Sequence, residues 1–314
     1  MAQSPVPELS SVKLDLGAIA TVFHDNTRTK KWPKDRLSVS FMSRLAGGMP
    51  LGQILYDKEQ PYKPSPEANI GSVVHARFMD RLDEDIVVIP NTRPLGGKGI
   101  TKEIKAENEA FNAGLDAMRE AANKAYKTPV SEDEHAKGCA VGQKLAEYFE
   151  AKYPFDRFAV AWKTHQMLFE VRFVTKIWGA NVSGSIDCLW AFETTSGWGL
   201  AIDDVKTGGR MDSDTFSKDL GSRGYIFQVA LYKQAVEQLT GIPVVSVGFP
   251  VAQTSEPFIC GRYTLHPDSI DQAKIPLQRA CMTWSNYIEK PDDAELNFSQ
   301  ETIEVPRWFW RKTN

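Results

Sequence analysis

Cysteine is scarce and scattered in this 314-residue chain: Cys139, Cys188, Cys260 and Cys281 form no Cys-x-x-Cys pair and no cluster with histidine. Zinc and iron–sulfur ligation both want closely spaced thiolates, so neither kind of centre is expected, and the four thiols read as free. Long apolar runs are missing too; none approaches the roughly 20 residues that a spanning helix needs. The opening Met-Ala-Gln-Ser-Pro-Val-Pro-Glu has neither the basic region nor the apolar stretch of a signal peptide, so a cytoplasmic protein with no membrane partner is the expectation. There is no internal repeat and no excess of positive charge: 37 Lys and Arg against 40 Asp and Glu leave a net charge of −3. That balance does not advertise a nucleic-acid binder, yet binding needs only a local basic lining. Two such clusters exist, one from Arg28 to Arg36 and one made of Lys206, Arg210, Lys218 and Arg223.

What is present is an ordinary globular composition, 42% hydrophobic and 25% charged, on a chain long enough to bury a full core. Residues 1 to about 36 carry Pro, Ser and charge without periodicity and read as a loosely held arm. Leu37 to Leu45 reads as a short helix entered through a serine cap. Apolar residues from Ile70 to Leu82 keep helical spacing, with His75 beside the stripe. Two helices at about 102–126 and 131–151, the second opened by the capping box Ser131-x-x-Glu134, read as part of a helical insertion spanning about 100–165. After them the period changes. Met167–Lys176, Val182–Phe192 and Gly199–Thr207 read as strands, Tyr225–Leu239 as a helix, Val244–Val251 and Phe258–Leu265 as further strands, and 268–289 as a final helix before a Trp308-Phe-Trp-Arg-Lys tail. That order predicts an α/β (α+β) fold: a mixed central sheet flanked by helices.

The chemistry gathers between Gly184 and Tyr232. Gly-Ser-Ile-Asp ends at Asp187, Asp204-Val205-Lys206 follows an apolar strand, and Gln228 and Tyr232 share a helix face. Alternation along a strand puts Asp204 and Lys206 on one side and Val205 on the other. Three charged residues, Asp203, Asp204 and Lys206, in so apolar a strand call for a reason, because an unpaired buried charge is expensive. A structural Asp–Lys pair is one. The other is metal-assisted hydrolysis of a phosphodiester: carboxylates hold a hard cation such as Mg²⁺, and an amine steadies the developing anion. Taken singly, His75, Glu170 and the Gln228/Tyr232 pair have ordinary structural readings.

In order, these motifs resemble the PD-(D/E)XK nuclease superfamily, in its RecB-like branch with the Gln-x-x-x-Tyr motif. Asn69-Ile-Gly-Ser-Val-Val-His75 looks like that branch's Gly-x-x-x-His helix, and Phe169-Glu170-Val-Arg-Phe like the strand preceding the Asp motif. Over residues 37 to about 290, the nearest likeness is to RecE-type exodeoxyribonuclease VIII, the recombination exonuclease of phages and prophages. The resemblance implies a restriction-endonuclease-like domain over 37–314, with Asp187, Asp204, His75, Glu170 and the Val205 carbonyl around Mg²⁺, for which Mn²⁺ substitutes. It makes Lys206 the water-positioning amine and gives Gln228 and Tyr232 to the shaping of the site. Ser38, Ser40, Arg210, Arg223 and Tyr225 are then expected to face DNA. It further implies cleavage from the ends of linear duplex DNA, 5′ to 3′, in the cytoplasm of a bacterial or phage-infected cell. A ring-like homo-oligomer and a single-strand annealing protein are the implied partners.

The chain departs from the pattern in two places. Asp204 stands where many members have Glu, which keeps the charge. Gly48-Met49-Pro50 stands where the iron–sulfur relatives have Cys-Pro, so no cluster is expected. The alternatives are a single-strand, flap or restriction-type endonuclease on the same core, and a DNA-binding or regulatory protein that keeps the fold without the reaction.

Overall fold

The computed structural model describes residues 14–28, 35–60, 63–195, 197–294 and 296. Residues 29–34 of the first basic cluster and the Trp308 tail lie outside them. In chain order the elements are α1 (Leu16–Arg28), β1 (Leu37–Ser38), α2 (Val39–Ala46), α3 (Leu51–Glu59), α4 (Pro66–Phe78), α5 (Leu82–Asp85), β2 (Ile86–Ile89), α6 (Lys102–Lys124), β3 (Thr128–Ser131), α7 (Glu132–Lys152) and α8 (Arg157–Lys163). The second half holds β4 (Met167–Ile177), β5 (Ala180–Thr194), β6 (Gly197–Asp203), β7 (Lys206–Gly208), α9 (Ser213–Ser222), α10 (Tyr225–Thr240), β8 (Val244–Gln253), β9 (Cys260–Thr264) and α11 (Pro267–Glu289).

A mixed seven-stranded sheet is the frame. β4, β5 and β6 form an antiparallel meander. β8 then runs parallel to β6 and carries β9 antiparallel on its far side. β6 and β7 are one strand interrupted at Asp204–Val205: Asp203 pairs with Gly248 and Lys206 with Val251, the same offset along β8. β1 pairs parallel with the early part of β5, where β6 has not yet joined it. β2 and β3 make a separate parallel pair.

Helices cover both faces, as the sequence pattern predicts. On one face α2, α10 and α11 bury Met42, Leu231, Val236, Leu277 and Trp284 against Val182, Ile186, Leu200 and Ile202. On the other, α4 and α7 bury Val74, Val141, Leu145 and Phe149 with Trp190, Ala201 and Val205. Each such side chain removed from water contributes roughly 1.5–3 kcal/mol, so both layers are needed to hold the sheet.

Two differences from the sequence reading concern these layers. Within the segment read as a loose arm, α1 lays Ile19 and Phe23 into the core; its apolar residues are spaced for one narrow stripe, which short polar interruptions mask. Within the segment read as an insertion, α7 belongs to the layer that covers the sheet. It approaches α4 through glycine: a Cβ at Gly138 would stand 2.4 Å from the Val73 Cβ, and one at Gly142 would stand 2.8 Å from the Arg77 Cβ. That close crossing fixes α4, and α4 carries His75. Among the described residues, no helix is long and apolar enough to cross a membrane.

Candidate metal centre and amine

The site forms where regular strand geometry fails. Glu170 and Asp187 face each other across β4 and β5, between the pairs Phe169–Cys188 and Val171–Ile186. Before Glu170, Met167 and Phe169 pack on the α7 side; after it, Val171 and Phe173 pack on the α10 side. A strict strand would keep all four on one face, so the chain turns over at Glu170, whose φ is +50°. A non-glycine residue held there costs about 1–3 kcal/mol, which the surrounding strands must sustain. β5 switches faces likewise between Ile186 and Cys188. Both carboxylates therefore sit at a shared kink at the point where β6 leaves β5. Upstream, Gly184 lets the strands close up, since a Cβ there would meet Phe173 at 2.8 Å and Val39 at 2.9 Å.

Three ligand atoms converge at the kink: one each from His75, Glu170 and Asp187, all within 4.8 Å of one another. His75 Nδ1 is 3.5 Å from Asp187 Oδ2. The Val205 N–H donates to that same oxygen at 2.8 Å, and the Val205 carbonyl meets the His75 ring. Ser185 donates to Glu170 Oε2 at 2.8 Å and orients it. Asp204 is 1% exposed. Its buried Oδ2 is paired with the Lys206 ammonium and receives no second donor among the described residues.

Lys206 is held from three sides. Asp204 pairs with it, the Gln228 side-chain oxygen accepts from it at 3.4 Å, and its Nζ lies 4.6 Å from the centre of the Tyr225 ring. Gln228 is itself fixed by donating to Tyr232 Oη at 2.7 Å. The helix-face pair read from the sequence is thus a relay that aims the lysine.

Electrostatics agree with the geometry. Burial, then the charge of Asp204, pushes the Asp187 carboxyl well above its ordinary range. Burial would lower Lys206, but the Asp204 and Asp187 carboxylates outweigh it, and its pKa rises. His75 is pushed down from 6.5 to about 4, first by burial and then by the Lys206 charge. A quarter of its side chain remains exposed, so the ring is neutral and reachable near pH 7, as a metal ligand must be. Crowded carboxylates and a neutral imidazole make a donor set that suits a hard divalent cation. His75, Glu170, Asp187, Asp204 and the Val205 carbonyl are the groups that could hold it.

The residues expected to face DNA divide. Tyr225 lies against Lys206, and Arg223 interacts with Tyr225 as well as with Asp219 at 3.2 Å. Ser38 is spent on capping α2, accepting from the Phe41 N–H at 3.4 Å. Ser40 is exposed, and Arg210 pairs with Asp212 at 3.2 Å. Among the described residues, Ser38, Ser40 and Arg210 make no hydrogen bond or ion pair with the cluster. Asp203 turns the other way. It is fully buried, accepting from Trp190 Nε1 at 2.8 Å and from Arg262 Nε at 2.7 Å. Arg262 and Ser185 escaped the sequence reading. Ser185 lies inside the Gly-Ser-Ile-Asp motif and could have been found there, whereas Arg262 gives no local signal.

No family profile matches the chain, and no curated protein sequence matches it. Among solved structures it is similar to the "putative exonuclease" of Eubacterium rectale, at 14% identity over 94% of this chain and 97% of that one, with a TM-score of 0.49. It is also similar to SSO0001, at 10% identity over 76% and 83%, with a TM-score of 0.26. Likenesses this distant carry no functional argument. The site has to speak for itself.

Proposed function

We propose that the protein is a divalent-metal-dependent nuclease that hydrolyses phosphodiester bonds in DNA. The observation that carries this reading is the convergence of His75, Glu170 and Asp187 within 4.8 Å, beside an Asp204–Lys206 pair. A structural ion pair accounts for Asp204 and Lys206 alone. It does not account for a kinked strand pair that brings two further carboxylates and a neutral imidazole to the same spot.

A cation held by this set, Mg²⁺ with Mn²⁺ as substitute, supplies Lewis acidity and charge relief at the phosphoryl oxygens. The chain's own groups do the rest. Lys206 presents its ammonium to the attacking water and to the negative charge that develops on the phosphate, the kind of fixed charge that lowers a barrier most in a dry site. Gln228 and Tyr232 keep that ammonium aimed, and Asp204 keeps it protonated. Tyr225 borders the lysine and Arg223 lies against Tyr225, and these two are the residues that would meet a DNA backbone there.

The order of the sequence motifs supports a finer reading: an exonuclease acting on the ends of double-stranded DNA, 5′ to 3′, in recombination or phage DNA processing. A cytoplasmic setting, a homo-oligomeric ring and a single-strand annealing partner belong to that same proposal. Digestion of end-labelled linear duplex beside a closed circle tests it, with wild type and Lys206→Ala in Mg²⁺. The expected result is loss of the linear duplex alone, abolished in the variant. Cleavage of the circle would replace the exonuclease with an endonuclease. Activity that survives Lys206→Ala would remove the site.

A further inference from the structure

A groove of about 950 Å³ is bounded by the first turn of α4, the β2–β3 pair, the end of α6 and Arg172 of β4. It shares two elements with the site: α4 carries both Asn69 and His75, and β4 carries both Arg172 and Glu170. At its edge stands Tyr126, 93% exposed and held at φ +57°.

Tyr126 occupies an unusual place for an aromatic residue. It follows Ala125, the cap of α6. Its own N–H donates to the Asn123 carbonyl and the Lys127 N–H to the Ala122 carbonyl, both at 3.0 Å. That pair of bonds closes a Schellman end, whose left-handed position ordinarily goes to glycine because a Cβ is strained there. A large ring at this position strains the backbone and leaves apolar surface in water. The fold gains nothing from it, for the ring makes no hydrogen bond or ring contact among the described residues. Charges of both signs line the same groove: Asp116 is paired with Arg119, Glu134 accepts from Asn69 and from the Ser131 N–H, and Asp133 is exposed, while Arg172, Lys63 and Lys127 are the cations turned to it. Arg172 is exposed and has no acidic partner among the described residues, Lys63 is exposed, and Lys127 is steadied by donating to the Asp83 carbonyl at 2.6 Å.

An exposed ring face with cations around it takes unpaired bases by stacking and their phosphates by charge. A duplex keeps its base faces inside, so the ring selects a single strand. We propose that this groove binds a single-stranded nucleic-acid segment adjoining the cleavage site, with one base stacked on Tyr126. The choice of nucleic acid over other polymers rests on the nuclease reading of the carboxylate site.

Binding of a labelled oligothymidylate and of a blunt duplex, read by fluorescence anisotropy on the full chain with Ca²⁺ in place of Mg²⁺, tests the groove. Tyr126→Gly is expected to weaken oligothymidylate binding by roughly ten-fold, the scale of one lost base–aromatic stack, and to leave blunt-duplex binding unchanged. Tyr126→Phe keeps the affinity. The melting temperature of Tyr126→Gly should stay level or rise, because glycine suits the left-handed position. Arg172→Gln should lower affinity and flatten its salt dependence. Equal oligothymidylate affinity for wild type and Tyr126→Gly, or equal loss for both DNA forms, overturns the proposal, as does a wild type that binds no oligothymidylate. Binding and cleavage fail separately. A protein that needs Tyr126 for the oligomer but never cuts DNA refutes the nuclease reading alone, and one that cuts DNA without needing Tyr126 refutes the groove alone.

Discussion

Asp203 and Asp204 are adjacent, both buried, and opposite in how their charge is met. Asp203 points to the α7 side, where Arg262 and the Trp190 indole supply donors to both of its oxygens. Asp204 points to the kink, where its inner oxygen faces only the Lys206 ammonium, and where Asp187 adds a further negative charge. The first arrangement is closed: both oxygens accept from protein donors. The second is open and over-supplied with carboxylate. A buried acid serves stability when its partners are all protein groups, and it serves chemistry when some of its capacity is kept back.

The largest expected effect separates the two acids by stability. Asp203→Ala leaves Arg262 buried and unpaired, which should cost about 3–5 kcal/mol. Asp204→Asn should cost clearly less, since it relieves repulsion with Asp187 while disturbing one ion pair. Urea unfolding of the two variants in EDTA measures the difference. Equal losses would erase the distinction between a closed and an open acid.

Activity should divide them the other way. Lys206→Ala or Asp204→Asn is expected to lower the rate of DNA cleavage by roughly a hundred- to a thousand-fold, the range for losing one preorganised charge at a reaction centre. Circular dichroism should show an intact fold in both. Arg262→Lys, on the closed side, should retain most of the activity at temperatures well below its melting point.

Metal addition sharpens the comparison further. Mg²⁺, Mn²⁺ or the non-catalytic Ca²⁺ should raise the melting temperature of wild type, since a ligand at a hundred times its dissociation constant stabilises by about 2.7 kcal/mol. Asp187→Asn should abolish that rise, whereas a variant on the closed side, Arg262→Lys, should keep it. A metal response that survives Asp187→Asn would mean that the cation sits elsewhere.

Much of this was legible in the chain, because the strands around the site are apolar runs whose boundaries are marked by Gly, Pro and charge. β4, β5, β8, α10 and α11 form close to where periodicity puts them, and the Ser131–Glu134 capping box closes as written. Some short elements were not legible, although α2 was, through its serine cap. α3, α8 and α9 have too few residues for a period to stand out, and α1 is hidden by polar interruptions. Asp187, Asp204 and Lys206 could be picked out because charge in an apolar strand is costly. The kink at Glu170 could not, since left-handed φ leaves no mark on a glutamate codon by codon or residue by residue. Nor could the role of Asp203, whose partner Arg262 lies 59 positions along the chain.

The smallest effect is the finest probe of which acid belongs to the site. His75 is held at about pH 4 by burial and by Lys206, with Asp204 pulling the other way, and Asp203 has no part in it. In metal-free protein its ring should therefore stay neutral from pH 8 to about 5, with NMR shifts moving only near pH 4. Lys206→Met should raise that midpoint and Asp204→Asn should lower it, while Arg262→Lys should leave it alone. The sign for stability follows. Between 6.5 and about 4 the unfolded imidazole binds a proton that the folded one refuses, so this group's contribution is complete above 6.5 and lost as pH falls through that window. Asp187 works in the opposite sense: its raised pKa means the folded state holds a proton that the unfolded state releases above 3.8, so its contribution fades as pH rises. The two slopes offset each other in a global unfolding curve. Only the resonance of the ring itself isolates His75, and a wild-type midpoint near 6.5 would show that the ring lies outside the crowded site.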